Sequence, residues 1–278
     1  MKKNNNRSGA GSQPASCGFG RFIVKRIFLA IGAAVFWFII WYALASHIDK
    51  EIILPSPTVV LVQLYHFMME PAFWIACGNT ILRIIAGTAA GIATGIVLAG
   101  LMLVSKIART LIYPLLSAVK ATPVASFIIA ALFWISRGHV PAFISFLIVL
   151  PVMCDAVYTG ITRADKKLLE VGRIYRFSVF KKIRYIIIPS VVPYFLSALR
   201  TSVGMAWKSG VAAEVLCTPA DSIGKALNMT KVYMETTQMF AWTIMIIILS
   251  IIFEKITVWL VGKGLKKYSM MEAHDVED

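Results

Sequence analysis

Six charged side chains stand where a charge is expensive. Arg83, Lys120, Asp155, Arg200, Lys208 and Glu214 all fall inside long apolar stretches of the 278-residue chain. A charged group at the centre of a bilayer costs roughly 2.5–3.5 kcal/mol on insertion scales, so such groups must point into protein or toward water. Arg200, Gly204 and Lys208 recur at intervals of four and share one helix face. Three chemistries fit. Lys120, Lys208 and Glu214 are candidates for lining a translocation path, with the lysines favouring an anionic solute. Internal pairing is the second use, for example of Asp155 with a lysine or arginine. Proton or sodium coupling at Asp155, Glu214 and Glu254 is the third. Enzymatic chemistry is poorly served. His47, His66, His139 and His274 are scattered, and Cys17, Cys77, Cys154 and Cys217 lack metal-ligand spacing and read as small hydrophobes. Gly224-Lys225 and Gly262-Lys263-Gly264 lack the spacing of a phosphate-binding loop. No catalytic residue, metal site or cofactor is expected, so uphill transport would draw on a partner or an ion gradient.

A second concentration of chemistry is the basic island 166–193. Leu168, Leu169, Ile174 and Tyr175 recur near helical spacing among Lys166, Lys167, Arg173 and Arg176. A break follows at Phe177-Ser178, where Ser178 can cap a second helical piece. Pro189 should end that piece and bias Ile188 away from helical angles. The local expectation is a helix–turn–helix at a membrane surface. Binding of anionic lipid by a basic juxtamembrane loop is the simpler alternative.

These residues need elements to hold them, and the composition says which. The chain is 58% hydrophobic and 15% charged, and its apolar residues gather in blocks near the roughly 20 residues that cross a bilayer. The expectation is an all-α polytopic membrane protein of six transmembrane helices: 22–45, 76–104, 111–135, 141–162, 191–216 and 240–259. Lys and Arg number 19 over 1–26, 104–110, 163–189 and 262–278, against four over 47–75, 136–140 and 217–239. That bias puts both termini and the 165–189 loop in the cytoplasm. The net charge of +14 is therefore topology, and no nucleic-acid partner is expected. Residues 1–20 should be a disordered tail and 263–278 a cytoplasmic tail, flanking a first helix and external segment (21–75) and a core of five transmembrane helices (76–262). Ser56 and Pro57 should start an interfacial helix. Gly87, Gly91 and Gly95 form a smooth stripe for close helix packing, within one subunit or across a dimer. Pro114 and Pro123 interrupt the third span, with a kink at Pro123.

One resemblance gathers these features. Glu170-Val171-Gly172 followed by Ile186-Ile187-Ile188-Pro189 resembles the coupling loop of permease subunits of bacterial ATP-binding cassette importers. That loop runs Glu-Ala-Ala, three residues, Gly, nine residues, Ile, one residue, Leu-Pro; Arg176 stands at its glycine. Leu54-Pro55-Ser56-Pro57, Ile81-Leu82-Arg83, Ala121-Thr122-Pro123, and Phe195 to Arg200 with Gly204-Met205-Ala206-Trp207 and Ala213-Glu214 are similar to the nitrate, sulfonate and taurine group. The resemblance covers roughly residues 54–260. It implies a type I importer permease fold and no ATPase site in this chain. The implied partners are a cytoplasmic ATP-binding subunit, an extracytoplasmic solute-binding protein, a second permease copy and membrane lipid. The implied solute is small and anionic or organic. It also implies that Leu169, Glu170, Gly172, Ile174, Phe180 and Pro189 serve ATPase coupling. An ion-driven transporter remains the rival; it would show inverted repeats, and none is visible.

Overall fold

The computed structural model describes residues 17–48 and 50–274, side chains excepted at 17–28, 30, 31, 34 and 265–274. Residues 1–16 and 275–278, parts of the two expected tails, lie outside that range, as does the side chain of Cys17. The regular structure described is entirely helical. Two compact units divide it, Met1–Val59 and Val60–Asp278. The first carries α1, Cys17–Ile48, whose 32 residues begin within the expected tail and outrun the expected span. Its later half exposes Phe36, Trp37, Ile39 and Leu44, a surface suited to lipid.

The second unit is built around α3 (Pro71–Val104), α6 (Val140–Thr162) and α9 (Ile188–Cys217). Small residues let their backbones touch. A Cβ on Gly87 would lie 2.0 Å from the Ala142 carbonyl oxygen, one on Gly91 2.9 Å from Val149 Cβ, and one on Gly95 3.0 Å from Met153 Cβ. The glycine stripe of α3 thus receives α6 inside the subunit. On its other side α6 meets α9 through Gly160 against Val191 and through Ser145, which lies under Gly210 and donates to the Ala206 carbonyl at 3.3 Å. Lipid tails are as apolar as leucine, so contact of this closeness is what holds such helices together. Around the trio, α2 (Pro57–Met69) begins at Pro57. Phe67 of α2, Phe73 of α3 and Trp242 of α11 (Thr236–His274) stack at 4.8–6.0 Å between centroids. Trp207 of α9 packs on Phe253 of α11 at 5.5 Å.

One expectation is met only in part, and two need correction. Length and composition give four candidate spans among the described residues, α3, α6, the run 179–217 and α11 up to Gly264, rather than six. A fifth arises if α4 (Lys106–Ala121) and α5 (Val124–Ala131) are one broken span. That pair shows the second difference. It bends by 102° at Thr122-Pro123, a corner and not a kink, while Pro114 sits inside α4 without breaking it. Thr122 is extended (φ −83°, ψ 134°), as a residue before proline prefers. The third concerns Pro189. Ile188 is helical (φ −58°, ψ −51°), and the chain passes from α8 (Val179–Lys182) through a π-helical turn (Ile183–Ile187) straight into α9. The Ile188 N–H reaches back to the Ile183 carbonyl, five residues away. Widening the turn there absorbs the proline's missing donor, and Ser190 Oγ donates to the Ile186 carbonyl at 2.7 Å. The tail expected at 263–278 is helical as far as His274.

Candidate functional site

Between α6 and α9 the chain folds into an elbow. Asp165 starts α7 (Lys166–Ile174), its carboxylate accepting from the Lys167 N–H at 2.8 Å. The helix then stops on a left-handed residue. Arg176 has φ 51°, the Arg176 N–H donates to the Arg173 carbonyl at 3.1 Å, and the Phe177 N–H donates to the Gly172 carbonyl at 2.8 Å. That pair of bonds is the Schellman closure, whose left-handed position is usually glycine. The arginine therefore adopts the backbone that a glycine would take, at a cost of roughly 1–2 kcal/mol. Ser178 then caps α8, accepting weakly from the Lys181 N–H at 3.4 Å.

The elbow packs on itself through one residue. Gly172 is buried, and a Cβ there would lie 3.0 Å from Ile186 Cδ1 and 3.5 Å from Phe177 Cδ2. Ile186, 5% exposed, is the apolar peg that fixes α7 against the π-helical turn. Everything else on α7 and α8 is exposed except Lys182, which is half-buried. Leu169 is 37% exposed, Ile174 76% and Phe180 71%, with Val171, Tyr175 and Val179 beside them, and Glu170 also faces outward. Pro189 is exposed too, at the start of α9. A basic elbow thus leaves these apolar side chains uncovered by any other described residue.

The charged residues of the spans fall into three groups. Lys120, at the end of α4, is paired with Asp155 of α6, and the two side chains are 45% and 40% exposed. Glu214 lies at the opposite end of α9 and is wholly buried. One carboxylate oxygen accepts from Arg83 at 3.1 Å; the other accepts from Thr80 Oγ1 at 2.7 Å and from the Gly224 N–H at 3.3 Å. Arg83 also donates to the Ala220 carbonyl, Asn79 to the Asp221 carbonyl, and the Ile223 N–H to Thr80 Oγ1. This knot clamps the start of α10 (Ile223–Val232) onto α3 and α9. Gly224 makes it fit, because a Cβ there would lie 2.2 Å from Glu214 Cβ. Lys208 is exposed and without an ion pair among the described residues, at a cavity of about 450 Å³ that Trp207, Val211, Leu227 and Ile247 also line. Glu254 of α11 faces Gly204, between the positions of Arg200 and Lys208 on α9.

Sequence reading missed Thr80, Asn79, Ser222 and Gly224. The readable signal was Ser222 directly ahead of Ile223-Gly224, a cap at a helix start; its hydroxyl accepts from the Lys225 N–H at 3.1 Å.

Comparison with known proteins places this geometry. Residues 91–263, more than half the chain, match the family described as the binding-protein-dependent transport system inner membrane component. A probable ABC transporter permease of Brucella melitensis is 24% identical over 217 residues, covering 78% of this chain and 87% of that one. A nitrate import permease of Synechocystis is 26% identical (64% and 68% covered), and the taurine transport system permease of Escherichia coli 20% (83% and 86%). A crystal structure of an amino acid ABC transporter with histidines overlays with a TM-score of 0.50 at 16% identity, covering 69% of this chain and 90% of that one, which speaks to the fold. A multi-pass helical chain with an exposed elbow between two of its central helices, the protein belongs to the binding-protein-dependent transport family as a membrane permease subunit of an ABC importer.

Proposed function

We propose that the elbow 165–189 is the surface on which the cytoplasmic ATPase acts, and that Glu170 with the apolar face of Leu169, Ile174 and Phe180 carries the docking. The observation that supports this is the uncovered apolar patch on an otherwise basic elbow. Large exposed apolar faces rimmed by charge mark interaction sites. The elbow is also joined without interruption to α9 through the π-helical turn, so a pull on α8 is transmitted along that helix. Gly172 and Ile186 keep α7 and the turn moving as one piece.

In this reading the crossings are six, namely α1, α3, the α4–α5 corner, α6, α9 and α11, with both termini on the cytoplasmic side as the lysine and arginine bias requires. Two copies of the chain form the path, with lipid around them and an extracytoplasmic solute-binding protein delivering the cargo. The cargo is a small anionic or organic solute, in keeping with permeases for nitrate, aliphatic sulfonates and taurine among the relatives. Lys208, exposed at its cavity, can add a favourable field for an anionic group along the path. Glu214, enclosed by its three donors Thr80, Arg83 and the Gly224 N–H, serves the frame.

Glu170→Arg tests the docking. The expected outcome is normal membrane insertion with ATP hydrolysis no longer linked to uptake, read as solute transported per ATP in proteoliposomes. Wild-type stoichiometry in that variant would remove Glu170 from the interface.

A further inference from the structure

We propose that the groove beside the Lys120–Asp155 pair binds a small dipolar solute, one carrying an anionic group and an ammonium group a few ångström apart. The inference deepens the importer reading and rests on it. The groove, of about 320 Å³, lies between α6 and α9 in the halves nearest the elbow, lined by Asp155 and Thr159 from α6 and by Tyr194, Ser197 and Thr201 from α9. The α6 pair are four residues apart, and the α9 residues are spaced by three and four, so each set sits on one helix face.

Three features point to a ligand of this kind. The Lys120–Asp155 pair is nearly half exposed on both sides although it lies between apolar segments, and a bilayer does not tolerate ionised groups against lipid. The face must therefore meet water, protein or solute. The hydroxyls of Thr159, Tyr194 and Ser197 make no hydrogen bond among the described residues, while that of Thr201 only donates to the Ser197 carbonyl at 3.3 Å. A short row of hydrogen-bonding groups is thus open beside an ion pair. Finally, the pair is neutral. A lone anion entering it would meet the Asp155 carboxylate, and a lone cation the Lys120 ammonium. A dipolar solute can replace each partner with one of its own charges, its anion on Lys120 and its ammonium on Asp155, leaving no charge unpaired. Near the elbow-side end of the groove Gly160 and Val191 bring α6 and α9 into contact, so motion of the elbow acts on the walls of the site.

The test uses the permease with its ATPase in nanodiscs, without the binding protein. Ser197→Cys places a thiol in the groove, and its labelling rate is read above that of the otherwise unaltered protein. The probes are 2-aminoethanesulfonate, ethanesulfonate and ethylammonium, similar in size and respectively dipolar, anionic and cationic. At a concentration twice its Kd the dipolar probe should slow labelling about threefold, with little effect of the other two. In Asp155→Asn protection should pass to ethanesulfonate, and in Lys120→Met to ethylammonium. Equal protection by all three probes, protection by none up to their solubility, or an unchanged preference in both variants would overturn the proposal. Co-purification of the ATPase is scored in each sample. Its loss from the unaltered protein would count against the importer reading itself, whereas its retention without protection counts against the dipolar site alone.

Discussion

Gly224→Ala is the sharpest perturbation this fold offers. The added methyl would lie 2.2 Å from Glu214 Cβ, 2.4 Å from the Glu214 carbonyl carbon and 2.5 Å from the Val215 nitrogen. Two of those atoms are backbone of α9, so no rotamer change relieves the clash. Reaching ordinary contact at 3.4 Å requires the start of α10 to back away by about 1.2 Å. That displacement breaks the 3.3 Å bond from the Gly224 N–H to Glu214 and strains the 3.1 Å bond from the Ile223 N–H to Thr80. Overpacking costs about 1–3 kcal/mol, and a buried acceptor left short of a donor about 1–3 kcal/mol more. The expected loss is therefore about 2–6 kcal/mol. Heating the purified complex with a thiol-reactive dye measures it, because Cys77 and Cys217 are buried near the knot and react only on unfolding. The midpoint should fall by several degrees, while Gly100→Ala, whose methyl meets nothing within 4 Å, should leave it level or slightly raised. Equal midpoints for the two variants would refute the clamp.

Other changes probe the remaining joints. Arg176→Gly should stabilise the elbow by about 1 kcal/mol by removing the left-handed strain, seen as slower hydrogen exchange at the Phe177 amide; faster exchange would contradict the Schellman closure. Along α3, alanine should harm assembly in the order Gly87, Gly91, Gly95, following Cβ clearances of 2.0, 2.9 and 3.0 Å. Yields of folded protein give the order, and the reverse ranking would move the stripe away from α6. Asp165→Ala should cost about 1 kcal/mol of elbow stability and Ser178→Ala less, since their capping bonds measure 2.8 and 3.4 Å; exchange at the Lys167 and Lys181 amides distinguishes them.

Much of this was legible because the membrane writes in coarse letters. Apolar blocks and a glycine every fourth residue on α3 are long-range patterns that the sequence exposes directly. The elbow was legible for a different reason. Ser178 is a cap wherever it precedes a helix, and the Glu170 to Pro189 spacing is preserved although Val171, Gly172 and Arg176 are not the usual residues. Arg176 shows the limit, since nothing local announces that an arginine will take φ 51°; the demand comes from the turn that must follow. Pro189 misled for a related reason. Its effect depends on whether the turn before it can widen, and a π-helical turn leaves no sequence mark that a helix ladder would not. The polar knot was beyond reach because its partners, Thr80, Arg83, Glu214 and Gly224, are distant along the chain. Arg83 and Glu214 stood out as charges in apolar stretches, but Thr80 and Gly224 are unremarkable until the fold closes all four around one carboxylate.

The central claim is that the elbow is gripped by the ATPase. A photo-crosslinking residue in place of Phe180, 71% exposed at the tip of the apolar face, tests it in intact membranes. Irradiation should yield one adduct with the ATP-binding subunit, in greater amount when nucleotide is present, and none from the same group at Ile96, an exposed position within the apolar α3. Adducts with the extracytoplasmic binding protein, or none with the ATPase in a complex that still hydrolyses ATP, would contradict the account.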